Sequence, residues 1–370
     1  MTRGNNNDEE RKFDALLRSI NPGNVYFVTG KNGSGKSRFF AYATKELCQA
    51  QIRNRFQPAR LLCLSGTLYD KYPPIIYKPR VSNSDVVYLG NKVNNNMVSG
   101  TAPFRVLCLY MLRHIVSPIL WASIKQALAR LNFESRVTFR FRERSPGKSD
   151  AFGDLSHELT CDLLDSPQDM EMIDRYVGLL SSGRIKLADM SFFRDGTAYW
   201  LGDLSSGEKQ YAIAILGFIY CGNERCTVFY DEPENSLHPA WQLSIVKDLV
   251  EIADNQLLDA TLVIATHSPL IASSVRNGNV HVCDLPADQA WQRVDLYGRA
   301  SDTVLREQFH LFSARSPEVA VIINKCLSFI ARNDTDGVAF REVQAELRTK
   351  NLDLTPDDPA AEIVTTILGI

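Results

Sequence analysis

No two cysteines in this 370-residue chain are spaced C-x-x-C, although eight cysteines are present. They are scattered, mostly in apolar runs, which excludes a zinc site or a disulfide framework and is the pattern of buried, reduced thiols. An excess of one charge is missing too. Lys and Arg number 41 against 43 Asp and Glu, a net charge of −2, so any nucleic-acid or membrane surface has to be a local patch. No apolar run approaches the roughly 18 residues that cross a bilayer. The opening MTRGNNNDEERKF lacks the apolar region of a signal peptide. Internal repeats and low-complexity segments are also lacking. These absences predict a soluble, cytoplasmic protein with no membrane partner. A core is affordable, because 45% of residues are hydrophobic and 23% charged, ordinary globular values.

Short strands apolar on both faces alternate with stretches of helical spacing. NVYFVTG, RLLCLSG, DVVYLG, CTVFYDE and TLVIAT predict an α/β fold with a mostly parallel sheet covered by helices on both faces. Residues 1–12 are expected to form a flexible tail, 13–102 and 203–300 the α/β core, 103–202 an inserted helical and β lobe, and 301–370 a helical C-terminal region. Helices are expected near 168–182 and 239–253, and Pro118 is expected to break the helical stretch around it. VTFRFRER alternates with period two, placing Arg140, Arg142 and Arg144 on one strand face and Phe139 and Phe141 on the other. That cationic face either grips a phosphate backbone or an acidic partner, or is an ordinary solvated face. The solvated face is the commoner case.

GKNGSGKS, Gly30 to Ser37, fits G-x-x-x-x-G-K-[ST] and sits between a strand and a helix, as that motif must. A loop with little side-chain bulk lets successive backbone N–H groups converge on a β-phosphate. Gly30, Asn32, Gly33, Ser34 and Gly35 form the loop, and Arg38 follows in the helix. Lys36 brings a point charge to the β- and γ-phosphates, and Ser37 offers a hydroxyl to Mg²⁺. A plain glycine-rich turn is the rival reading.

CTVFYDEPENSLHP is an apolar strand ending in two acids. Asp231 is placed to hold Mg²⁺, and Glu232 to orient and deprotonate an attacking water. Alone, the two acids could instead cap the next helix. Thr266 and His267 end the strand TLVIAT, where His267 can donate a hydrogen bond to a γ-phosphate and sense its loss. A structural histidine is the bland alternative. In LSSGEKQ, Ser205 and Glu208 have the spacing of a capping box, and Ser206 and Gly207 complete a helix N-terminus suited to a phosphate.

The order of these motifs, P-loop, LSSGEKQ, Asp-Glu and Thr-His, resembles that of ABC-type ATPases. LSSGEKQ is similar to the LSGGQ signature, with Ser206 in place of its first glycine. The resemblance implies that Ser205, Ser206, Gly207 and Glu208 meet the ATP held by a second, head-to-tail copy, so that capping box and phosphate site are one object. DEPENSLHP resembles the soluble RecF, SMC and OLD branch more than transporter cassettes. CLSGTLYDKYPPIIYKPR and ASDTVLREQF look like ATPase subunits of Septu-type and retron-associated anti-phage systems. This implies an ATP-hydrolysing, Mg²⁺-dependent subunit that dimerises and regulates a separate effector such as a nuclease. A RecF-like DNA-repair ATPase, with nucleic acid as partner, and a transporter ATPase are the rival readings. The departures are the absence of heptads, a C-terminal stretch too short for a Toprim domain, and no clear Q-loop glutamine, for which Asn91 or Asn94 to Asn96 are stand-ins.

Overall fold

The computed structural model describes residues 4–48, 59–77, 86–115, 117–144, 151–165, 169–256, 258–275, 279–294, 317–332, 334–335, 337–350, 352 and 361–369. The stretch ASDTVLREQF lies outside them. The chain divides into two compact units, Met1–Arg299 and Ala300–Ile370.

The strands expected from their apolar runs form, with two more, one seven-stranded sheet. In chain order they are β1 (Val25–Thr29), β2 (Arg60–Ser65), β3 (Val86–Leu89), β10 (Cys226–Asp231), β11 (Thr261–Ala265), β12 (Val280–Asp284) and β13 (Gln292–Val294). Their order across the sheet is β13-β12-β1-β11-β10-β2-β3. Every pair is parallel except β12 with β13. β1, β10 and β11 are buried along their whole length, as a sheet covered on both faces requires.

Helices α1 (Gly4–Arg18) and α2 (Lys36–Cys48) cover one face. They pack Phe13, Leu16, Leu17, Phe39 and Phe40 against Tyr26, Val28, Phe229 and Val263. The expected flexible tail is therefore a correction: the chain is helical from Gly4 onward. Docking of Phe13, Leu16 and Leu17 explains it, together with a hydrogen bond from Lys12 Nζ to the Pro286 carbonyl at 2.7 Å. α6 (Ser206–Cys221) is apolar all round, with Tyr211 through Cys221 buried, as a helix enclosed by protein must be. α3 (Ala102–Arg113), α4 (Trp121–Leu131) and α8 (Ile245–Asn255) pack around it. The single helix expected near 239–253 is broken: α7 (Pro239–Gln242), capped by His238, precedes α8.

Between β3 and α6 the chain forms an antiparallel sheet, order β7-β6-β8-β9, from β6 (Arg136–Glu143), β7 (Glu158–Asp162), β8 (Ile185–Arg194) and β9 (Thr197–Trp200). α5 (Met170–Ser181) lies between β7 and β8 in sequence, and a small hairpin, β4 (Lys92–Asn94) with β5 (Met97–Val98), precedes α3. Pro118 opens a 3₁₀ turn between α3 and α4. In the second unit, helices Pro317–Ala331, Val338–Thr349 and Ala361–Gly369 enclose Ile322, Cys326, Phe340, Leu347 and Ile367. Among the described residues no helix is long and apolar enough to cross a membrane. All eight cysteines are free, and seven are buried.

One buried polar knot ties α6, α8 and α4. Tyr211 Oη donates to Asp248 Oδ2, and Arg130 Nη2 lies 3.3 Å from Asp248 Oδ1, with Asp248 only 2% exposed. Asp248→Ala removes the carboxylate that accepts from the buried Tyr211 hydroxyl and pairs with Arg130, and should cost about 1–3 kcal/mol in urea unfolding. Asp248→Asn, which keeps an acceptor, should cost less. An unchanged unfolding midpoint for Asp248→Ala would show that the knot carries no stability.

Candidate functional site

Because β11 lies between β1 and β10, three loops leave the same edge of the sheet side by side. The register pairs Val28 with Ala265 and Asp231 with Ala265. Beyond the strands the ladder continues: Thr266 N donates to Val28 O at 3.0 Å, and Glu232 N to Ala265 O at 2.8 Å. The carboxyl edge of a parallel sheet is where ligands of such folds bind.

After β1, Gly30, Gly33 and Gly35 all have positive φ. Gly30 has a second constraint, since a Cβ there would lie 2.3 Å from the Leu285 carbonyl. Lys36, 4% exposed, folds back across the loop and donates to the Gly30 carbonyl at 2.7 Å. A buried ammonium on backbone carbonyls is a weakly satisfied cation that an incoming phosphate can recruit. Asn32 is exposed, Ser34 Oγ is buried without a partner, and Arg38 pairs with Glu9 of α1 at 2.9 Å.

Ser37 Oγ donates to Asp231 Oδ1 at 3.3 Å, while Asp231 Oδ2 is buried with no partner. Burial pushes this carboxyl up to about 7 against the Ser37 hydrogen bond. An orphaned carboxylate oxygen beside a hydroxyl fits a hard divalent cation, which Mg²⁺ is. Ser37 and Asp231 are the groups that would hold it, and when bound it would neutralise phosphate charge. Elsewhere, among the described residues, no group of three or more His, Cys, Asp or Glu side chains gathers to bind a metal.

Glu232 has φ +51, a left-handed conformation that costs a non-glycine residue roughly 1 kcal/mol or more and that concentrates at functional sites. Its carboxylate accepts from Asn235 Nδ2 at 2.8 Å. Two residues on, Glu234 is buried, and its carboxylate organises the neighbouring loop. It accepts from Thr266 Oγ1 at 2.9 Å and from the His267 backbone N–H at 2.6 Å, and it lies 3.0 Å from His267 Nδ1. The Glu234 hydrogen bond, working against burial, raises the His267 pKa. With Nδ1 committed to Glu234, Nε2 is the ring nitrogen left for a ligand, and the raised pKa favours the form in which it donates.

At the start of α6 the capping box is complete. Ser205 Oγ accepts from Glu208 N at 3.2 Å, and Glu208 Oε2 accepts from Ser205 N at 2.7 Å. Arg194 also pairs with Glu208. Burial opposes the charge on Glu208, but the Arg194 and Ser205 hydrogen bonds prevail and hold its pKa below the usual value. Gly207 cannot carry a side chain, because a Cβ would sit 2.7 Å from the Ser236 carbonyl and 3.2 Å from the Trp241 ring. Ser205 and Ser206 stay exposed.

The structure thus brings together the P-loop, Ser37, Asp231, Glu232 and His267. Among the described residues no hydrogen bond or ion pair joins residues 205–208 to that P-loop. Sequence reasoning missed Glu234, visible only as a third acid in DEPE, and Arg194, which nothing local marks as the partner of Glu208. It also missed Gln210, whose amide donates to Ser65 O at 3.1 Å and Tyr230 Oη at 3.0 Å and pins α6 to β2 and β10.

A mostly parallel sheet carrying a P-loop after β1, an acid pair after β10 and a Thr-His pair after β11 defines an α/β P-loop fold. A family model described as "AAA domain, putative AbiEii toxin, Type IV TA system" matches residues 130–273, a span that holds α6, Asp231, Glu232 and His267 but not the P-loop. No curated protein matches the chain. Among solved structures, one titled "An inward-facing conformation of a putative metal-chelate type ABC transporter" is 16% identical with a TM-score of 0.33, covering 79% of this chain and 80% of the other. UvrA2 from Deinococcus radiodurans is 17% identical with a TM-score of 0.30, over 71% of this chain and 33% of the other.

The raised Asp231 pKa yields a stability test. In metal-free protein its contribution is full below the unfolded value of 3.8 and is lost as pH rises through about 7. Asp231→Asn should therefore melt above wild type at pH 8 and alongside it near pH 4, while losing any stabilisation by Mg²⁺. A melting difference that is the same at both pH values would refute the buried-charge assignment.

Proposed function

We propose that the chain binds Mg·ATP between two head-to-tail copies, hydrolyses it, and uses the resulting change to regulate a separate effector, the toxic chemistry being held in another chain such as a nuclease. The single observation that carries the nucleotide reading is the convergence at one sheet edge of Lys36, the Ser37–Asp231 pair, the strained Glu232 and the Glu234-clamped His267. Backbone N–H groups of residues 32–37 and Lys36 would bind the phosphates. Glu232 would take a proton from water as that oxygen bonds to the γ-phosphorus and the bond to the leaving ADP oxygen breaks. His267 Nε2 would donate to the γ-phosphate and lose that partner when phosphate departs.

Dimerisation is supported by the exposed, capped start of α6, which offers free N–H groups and a positive helix end with no bond to its own P-loop. The soluble rather than transporter branch is supported by the resemblance of DEPENSLHP, and the regulatory role in anti-phage defence by that of CLSGTLYDKYPPIIYKPR and ASDTVLREQF.

Glu232→Gln should retain ATP affinity and slow turnover by about two to four orders of magnitude. It should also accumulate an ATP-bound dimer on size-exclusion chromatography. Near-normal hydrolysis would remove Glu232 as the base.

A further inference from the structure

The antiparallel sheet carries a feature that ATP chemistry does not use. On the outward face of β6, Arg140 is neutralised: it bonds Glu158 at 2.6 Å and lies 3.8 Å over the Trp200 ring. Further along the same face the pattern reverses. Arg142 pairs in register with Lys186 directly opposite it on β8, a like-charge cross-strand pair that destabilises a sheet. Arg144 N donates to the Arg184 carbonyl at 2.9 Å, which sets a second pair of cations beside the first. Arg105 reaches the adjoining edge of β8 from α3, donating to the Leu187 carbonyl at 3.3 Å and to Thr101 Oγ1 at 2.7 Å. Among the described residues none of these five side chains has an ion-pair partner. The nearby acids are turned to other work. Glu143 accepts from Ala151 N, Asp189 from Met190 N, and Glu158 from Arg140. Burial, and then repulsion from Arg142, lower the pKa of both Arg105 and Lys186.

We propose that the end of the β6–β8 ribbon bearing Arg142, Arg144, Arg184 and Lys186, with Arg105 at its edge, binds the phosphodiester backbone of a nucleic acid. Cations repeating every second residue, about 7 Å apart along each strand, match a polymer of regularly spaced phosphates better than one free anion. Four of the five are arginines, whose planar forks suit phosphate oxygens. An acidic protein partner offers carboxylates without such a repeat. Because the surface lies on the inserted sheet, binding needs neither nucleotide nor the acid pair.

The test uses the full chain without nucleotide and fluorescein-labelled 30-residue single- and double-stranded DNA, read by anisotropy in 50–200 mM salt. Wild type should bind at least one of the two. The double substitution Arg142→Glu, Lys186→Glu should weaken binding at least about tenfold and lower the slope of log K against log salt by about two, near 0.9 per lost phosphate contact. Its ATP hydrolysis should be unchanged. The double substitution Arg140→Gln, Glu158→Gln, which removes a pair that is already neutral, should bind as wild type does. Folding is read separately: Lys186→Glu alone removes a like-charge pair and should raise Tm. The proposal is overturned if wild type binds neither DNA at 50 mM salt, if the double variant binds as well as wild type, or if polyglutamate displaces DNA at equal charge concentration.

Discussion

The hydrogen-bond ladder that seats β11 between β1 and β10 is the constraint on which the site depends. It forces the P-loop, Asp231 and Thr266 to leave the sheet side by side, and the bonds from Thr266 N to Val28 O and from Glu232 N to Ala265 O extend it past the strand ends. Each loop then has little freedom. Glu232 is held at φ +51, Lys36 is folded over its own loop, and Glu234 locks the backbone and ring of His267. A site fixed in this way need not reorganise when a charged ligand arrives, and such preorganisation is where electrostatic catalysis gets its strength.

The same edge stores unfavourable electrostatics. Asp231 is fully buried with one oxygen unpartnered, and Lys36 is buried against carbonyls. Both are costly until an opposite charge is supplied, and under the proposed function a metal–phosphate complex would supply it to each. The start of α6 differs. Its capping box satisfies the Ser205 and Glu208 N–H groups internally, and Arg194 holds Glu208 in place, so the helix end is rigid and exposed without being strained.

The sequence shows the parallel sheet and the three loops because both rest on local signals: apolar strands that end in glycine, acid or histidine. Glu234 was hidden because its partners, Thr266 and His267, come beside it only through the β10–β11 pairing. The helical N-terminus was hidden because GNNNDEE looks disordered by composition, and only the docking of Phe13, Leu16 and Leu17 on the sheet makes it helix. β12 and β13 were missed since VHVCD is short and polar residues interrupt it. For Arg140, Arg142 and Arg144 the alternation was legible, but their different fates were not, because Glu158 and Lys186 come from other strands.

The central claim, that one copy's P-loop works with another copy's α6 start, is tested most directly by mixing two inactive proteins. Lys36→Ala empties the P-loop, and Ser205→Arg blocks the helix N-terminus. In a mixed dimer one composite site carries both lesions and the other carries none. The expected result is that each protein alone is inactive and that the mixture recovers ATP hydrolysis, up to about half of wild type per dimer and less if the sites are cooperative. A Ser205→Arg protein that stays fully active and loses only about 1 kcal/mol of stability, or subunit exchange with no recovery, would contradict the claim and leave LSSGEKQ as a helix cap alone.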